Sequence, residues 1–188
     1  MPVRCSIWKP AAVLTVIGTL WGCGGHSPPV KGSGGAEMNM QQAAIRADAI
    51  LDDVVAGIEP AVQWVHGPTT TGTCDVTRRR AVVTVVSPGR RGSFLGVIDR
   101  AWRESGYRIK SVNNDSEAPA IFAQTKDGFG VSLIVGGEGQ VFFEVDSPCV
   151  EESEVADPTG EPTAPVDPGA EGIPRPNVRS PFWSAGAP

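Results

Sequence analysis

The chain has 188 residues, with 16 Lys and Arg against 21 Asp and Glu and a formal charge of −5. That length holds one domain with attachments or two very small ones, and the acidic balance argues against nucleic acid as the default partner, because phosphate recognition needs a basic footprint. Glycine (23) and proline (17) are both over-represented, so much of the chain is turn and linker, and two histidines with four cysteines leave little material for a metal site.

Residues 1–22 have the three parts of a secretory signal. Arg4 and Lys9 make a positive start, Ala11 to Trp21 is an uncharged and mostly apolar run, and the small residue Gly22 precedes Cys23. As a helix the run reaches about 16 Å at ~1.5 Å per residue, short of a hydrocarbon core ~30 Å thick. It is therefore predicted to be a cleavable signal rather than a permanent span. Residues 23–37 follow, a Gly/Ser/Pro stretch that cannot bury enough apolar surface to order itself and is read as a flexible leash containing the solvated His26.

From residue 38 to 149 the pattern becomes globular. Ala43, Ala47, Ile50, Leu51, Val54 and Ile58 recur at three- and four-residue steps, which predicts a first helix with Asp48, Asp52 and Asp53 largely off its apolar face. Gly57 and Pro60 end it. Trp64 is placed on a short strand before the Thr-rich loop at Thr69 to Thr73. Arg80 to Ser87, apolar on both faces, is expected as a central strand. A second helix begins near Arg90 to Ser93 and runs to Ser105, burying Phe94, Leu95, Ile98, Ala101 and Trp102, with Gly106 as its left-handed cap. Tyr107 to Val112 and Ala120 to Thr125 read as strands. Asp127-Gly128 signals a hairpin, Phe129 to Val135 alternates, Gly136 to Gly139 turns, and Val141 to Val145 completes a meander. The fold expected is α+β: an antiparallel sheet of four to five strands with two helices packed on one face.

Residues 150–188 change composition again. Eight prolines and seven acidic residues against two basic ones, without periodicity, predict an acidic, disordered tail.

Leu20-Trp21-Gly22-Cys23 resembles the lipobox of bacterial lipoproteins, with leucine at −3, glycine at −1 and cysteine at +1; Trp21 departs from the small residue usual at −2. The resemblance implies cleavage before Cys23 and a diacylglyceryl group on its sulfur, so that acyl chains hold the protein on a lipid bilayer. The alternative is an ordinary secretory signal with a chance cysteine. Cys5 falls in the signal, which leaves Cys74 and Cys149 as an even pair in an oxidising compartment. They are expected to form a disulfide, contributing roughly 4 kcal/mol by loop closure; the alternative is two buried thiols.

The search for chemistry returns no catalytic residue, no cofactor and no metal. His66 is the only histidine of the globular region, and no Gly-x-Ser-x-Gly elbow accompanies it. Asp52 and Asp53 face about 100° apart on a helix, a poor geometry for one shared site, and Glu144 with Asp146 reads as the wet side of an edge strand. No Walker loop, dinucleotide fingerprint or calcium loop occurs, and Asn114-Asp115-Ser116 fits a glycosylation acceptor in form only. Arg78, Arg79, Arg80, Arg90 and Arg91 are the one basic concentration, read either as a contact for anionic lipid headgroups or cell-wall polymers or as a solvated strand end. Phe182 and Trp183 form a candidate docking motif in the tail, or frayed aromatics.

The overall plan, together with twelve arginines against four lysines, resembles small lipoproteins without assigned activity that high-GC Gram-positive bacteria (actinobacteria) secrete. The resemblance implies residence on the outer face of the cytoplasmic membrane and brings no catalytic residues. The expected function is a non-enzymatic envelope module that binds a protein or polymer. Alternatives are a small-ligand-binding lipoprotein for a transporter and, less favoured, a cell-envelope hydrolase.

Overall fold

The structure, a computed structural model, describes residues 38–136, 139–165 and 175–187. The signal, Cys23 and the leash lie outside the described residues.

In chain order the elements are α1 (Met40–Ala56), β1 (Trp64–His66), β2 (Thr70–Thr71), β3 (Val76–Val82), α2 (Pro88–Glu104), β4 (Arg108–Asn113), β5 (Ala120–Gln124), β6 (Gly130–Val135) and β7 (Val141–Asp146). A reciprocal cap starts α1: Asn39 Oδ1 accepts from the Gln42 amide at 2.9 Å, and Gln42 Oε1 accepts from the Asn39 amide at 3.0 Å. α2 starts at Pro88, before the expected Arg90, because the fixed φ of proline suits a first helical turn. It closes on Ser105, and Gly106 at φ +77° turns the chain toward β4.

The fold is α+β, with two helices packed on an antiparallel sheet of seven strands rather than four or five. The short pieces β1 and β2, both paired with β3, account for the difference. Strand order is β1-β3-β7-β6-β5-β4. After β3 the chain crosses by way of α2 to the far edge, then meanders back until β7 pairs with β3. Three rows of side chains cross the sheet on one face: Val82–Val141–Val135, Phe143–Leu133–Ile121 and Val145–Val131–Ala123. Ala47, Ile50 and Leu51 of α1 and Phe94, Ile98 and Trp102 of α2 join these rows in a single hydrophobic cluster. The predicted hairpin at Asp127-Gly128 is present, with Gly128 at φ +94°.

β3 does not lie where the apolar run placed it. It begins at Val76 and takes in all three consecutive arginines. After Val82 the backbone leaves β7 and bonds elsewhere, Val83 N donating to Gln63 O at 2.9 Å and Val85 N to Val178 O at 2.8 Å. Cys74 and Cys149 form the expected disulfide, with Cα atoms 4.8 Å apart. They flank β3 and β7, which are neighbours, so the bridge staples the place where the meander closes.

The tail departs most from expectation. Its described residues are docked on the domain. Glu151 O accepts from Met40 N at 2.9 Å, Thr163 Oγ1 accepts from Trp64 N at 2.9 Å, and Val178 N donates to Val83 O at 2.9 Å. Ala164 and Val178 pack with Val65, Ala81 and Val83 in a second cluster. Backbone pairing and a few well-placed side chains anchor a segment that shows no helical or strand periodicity.

Candidate functional site

The five arginines singled out from sequence go to different places. In β3 side chains alternate, so Arg78 and Arg80 point under α1 while Arg79 faces the other way. Arg78 is 1 % exposed and Arg80 0 %. Arg80 Nη1 lies 3.3 Å from Asp48 Oδ1 and Nη2 lies 3.0 Å from Asp52 Oδ1, while the guanidinium sits 4.4 Å from the Trp64 ring centroid. Arg78 Nε is 3.3 Å from Asp48 Oδ2, and its terminal nitrogens donate to Thr69 Oγ1 at 2.5 Å and Ala156 O at 2.6 Å. Asp48, expected off the buried face, is 8 % exposed and serves both cations. On the opposite face Arg79 pairs with Glu144 at 2.7 Å. Arg78 and Arg80 are therefore neither an anion-contact surface nor a solvated strand end, and Arg79 is engaged by Glu144. Arg78 and Arg80 belong to an internal charge cluster that fixes α1 on β3.

His66 is the third corner of that cluster. Arg80 Nη1 lies 2.7 Å from His66 Nδ1, and His66 Nε2 lies 2.5 Å from Gly160 O. A guanidinium only donates and a carbonyl only accepts. The imidazole is therefore the neutral Nε2–H tautomer, with Nδ1 accepting from Arg80 and Nε2 donating to the tail. Both ring nitrogens are engaged in structure. Glu144 is taken by Arg79, and Asp146 Oδ1 accepts from Thr77 Oγ1 at 2.6 Å.

Phe182 and Trp183 also turn inward. Trp183 is 0 % exposed, donates from Nε1 to Pro60 O at 2.6 Å, and stands edge-on to Phe94 with ring centroids 5.1 Å apart. Phe182 is 39 % exposed, and the Arg90 guanidinium lies 4.3 Å from its centroid. The aromatic pair docks on its own domain, and Arg90 is drawn into that contact.

Arg91 lines a cleft. About 420 Å³ in volume, it opens at the start of α2 and is bordered by Arg91, Gly139, Gln140, Arg175 and Arg179. Three arginines from separated stretches border it, and among the described residues none of those lining it is acidic. Arg91 Nη1 donates to Glu117 O at 3.2 Å, and Arg179 Nη1 donates to Ala187 O at 3.2 Å. Gly139, at φ +77°, holds a backbone conformation that side chains rarely adopt, and a Cβ there would fall 2.8 Å from Arg91 Nη2, so the end of that side chain would have to shift. Arg91 Nε is buried and takes no hydrogen-bond partner among the described residues. Sequence reading could not assemble this set, because Arg175 and Arg179 sit in the stretch read as disordered.

A second cleft of about 610 Å³ lies between α2 and β4–β5. Leu95, Val112 and Ile121 supply apolar lining, and Asp99 and Arg103 polar lining. The Arg103 guanidinium holds Asp99 in a two-toothed contact (2.8 and 2.9 Å), which draws the Asp99 carboxyl below its ordinary pKa. In the adjoining loop the Ala118 and Glu117 amides do the same to Asp115. Among the described residues there is no group of three or more His, Cys, Asp or Glu placed to hold a metal ion, and no helix is long and apolar enough to cross a membrane.

No family model matches the chain, and no curated protein or solved structure matches it.

Proposed function

We propose that this protein is a membrane-anchored extracytoplasmic lipoprotein whose α+β domain is a non-enzymatic module binding another component of the cell envelope. The Cys74–Cys149 bridge is the observation that carries the reading. Such bonds persist in oxidising compartments and are rare where thiols are kept reduced. It agrees with a signal in residues 1–22, and the Leu20 to Cys23 sequence supplies the anchor. The ionisable groups considered for catalysis support a binding role: His66, Glu144 and Asp146 all serve structural partners. A small-ligand-binding lipoprotein is the second reading, favoured by two clefts within the size range of small-molecule sites. Among the described residues, neither cleft is lined by an aromatic ring.

Mass spectrometry of protein recovered from membranes tests the anchor. The expected amino-terminal peptide starts at Cys23 and carries a diacylglyceryl group, and Cys23→Ala moves the protein into the soluble fraction. An unmodified Cys23 thiol, or a retained Met1, defeats the proposal.

A further inference from the structure

We infer that the outer edge of β4, with the cleft beside it, binds an extended acidic peptide that joins the sheet as a further strand. This deepens the reading of the chain as an envelope-binding module, on which it rests, by naming the class of partner. The two edges of the sheet differ. At β1 the tail is bonded to Trp64, whose amide donates to Thr163 Oγ1 at 2.9 Å and whose carbonyl accepts from the Thr163 amide at 3.2 Å. β4 closes the other end of the strand order, and among the described residues only β5 pairs with it. Lys110 to Asn113 are all exposed. A free strand edge presents unpaired backbone donors and acceptors, the surface on which strand addition is built.

Space and charge both fit that occupant. The cleft of about 610 Å³ lies between α2 and β4–β5, and Val112, 43 % exposed, lines it together with Leu95. Gly92 and Gly96 line it from α2, although glycine weakens a helix interior. A Cβ at Gly92 would meet nothing within 4 Å, and one at Gly96 only Arg100 Nη1 at 3.7 Å, so packing within the domain requires neither glycine. They leave room for the side chains of an added strand that point toward α2. In a molecule of formal charge −5, Arg108 and Lys110 stand on β4, Lys126 Nζ lies beside Gly106 at its start, and Arg100 lies beside Gly96. Arg108 bonds only the neutral Gln124. Among the described residues the unpaired carboxylates at that end are Glu104 and, near Tyr107, Asp53; Asp99 and Asp127 are held by Arg103 and Arg46. Asp115 and Glu117 follow the far end of the strand, so the partner's carboxylates belong beside Arg108 and Lys110. Lys110 has no residue opposite it in β5, because the pairing shifts between Ile109 and Ser111. A bulge and a lysine oppose edge-to-edge pairing of like strands, and a second copy would set these cations against each other. The occupant is therefore an acidic partner rather than this chain.

The test uses the full chain, purified in detergent, and three end-blocked octapeptides read by fluorescence anisotropy. One is four Glu-Val repeats, one is four Lys-Val repeats, and one is the acidic peptide with its backbone amides N-methylated. The acidic peptide is expected to bind and to slow amide hydrogen exchange in β4. The basic and the methylated peptides are each expected to bind about tenfold more weakly or less. Lys110→Glu is expected to weaken the acidic peptide about tenfold, and Lys31→Glu, the same charge reversal ahead of α1, to alter it less than about twofold. Gly96→Leu, which fills the cleft and favours helix, is expected to weaken it about tenfold while Tm holds or rises. Absence of binding by the acidic peptide overturns the inference. So does equal weakening by Lys31→Glu, which reports net charge only, or full binding by the methylated peptide, which excludes strand addition. A dimer that the acidic peptide dissociates assigns the edge to a second copy and also overturns it. Should a variant misfold, the methylated peptide on the unaltered protein still decides. Peptide binding by a protein found without lipid on Cys23 would retain this site and discard the anchor; the reverse pattern would retain the anchor and discard the site.

Discussion

Trp183→Ala measures whether the tail belongs to the core. The side chain is fully buried, joins the main hydrophobic cluster with α1 and α2, and contacts two rings, Phe94 at 5.1 Å and Phe182 at 4.7 Å between centroids. Truncating a buried tryptophan costs about 3–5 kcal/mol through lost transfer energy and the cavity left behind. The lost Nε1 bond leaves Pro60 O short of a donor at a site where the indole has just been removed, which places the expected cost near the middle of that range, about 4 kcal/mol. For a domain of this size each kcal/mol shifts Tm by roughly 2–4 °C, so the expected fall is about 8–16 °C. Near-ultraviolet circular dichroism during heating reads it on the oxidised protein. Phe182→Ala, on a half-exposed ring with one cation–π contact, is expected to cost only about 1 kcal/mol. If Trp183→Ala melts within about 2 °C of the parent protein, residue 183 is not part of the core and the reasoning fails.

Two further tests address charge. Asp48→Ala leaves Arg78 in the interior without a carboxylate and Arg80 with Asp52 alone, and breaking such a buried pair is expected to cost about 3–5 kcal/mol, whereas Arg46→Ala, which removes the exposed pair with Asp127, should cost under about 1 kcal/mol; urea titration of both variants compares them. Burial, and secondarily the Asp53 carboxylate, push the Tyr107 phenol above its ordinary pKa. Its neutral form is thus favoured by folding, so the stability it contributes is whole below about pH 10 and is lost as pH climbs past that point. Tyr107 is the chain's only tyrosine, so phenolate absorbance reports it alone. A midpoint in the native protein equal to that in urea contradicts the assignment, and Tyr107→Phe should flatten the alkaline loss of Tm.

Much of the architecture was legible because it rests on local rules. The three-and-four spacing from Ala43 to Ile58 and the stripe from Phe94 to Trp102 mark helices that must cover a sheet, and Asp127-Gly128 and Gly139 sit where hairpins need positive φ. The parts that were not legible depend on pairing between distant residues. Three adjacent arginines read as solvated until Asp48 and Asp52, one helical turn apart, are seen to meet Arg78 and Arg80, two strand positions apart. Those spacings are the one signal that would have found the cluster. The described parts of the tail were misread because disorder was inferred from composition, and a single tryptophan with a handful of backbone bonds contributes almost nothing to composition. The arginine cleft was lost with it.

The way Trp183 meets Pro60, and Gln41 the amide of Ala156, has a bearing on biogenesis. These contacts join residues 123 and 115 positions apart. A nascent chain therefore exposes α1 long before the groups that cover it have been synthesised, and loop-closure entropy delays the final collapse further. Until then the polypeptide lacks the long-range contacts that close the domain.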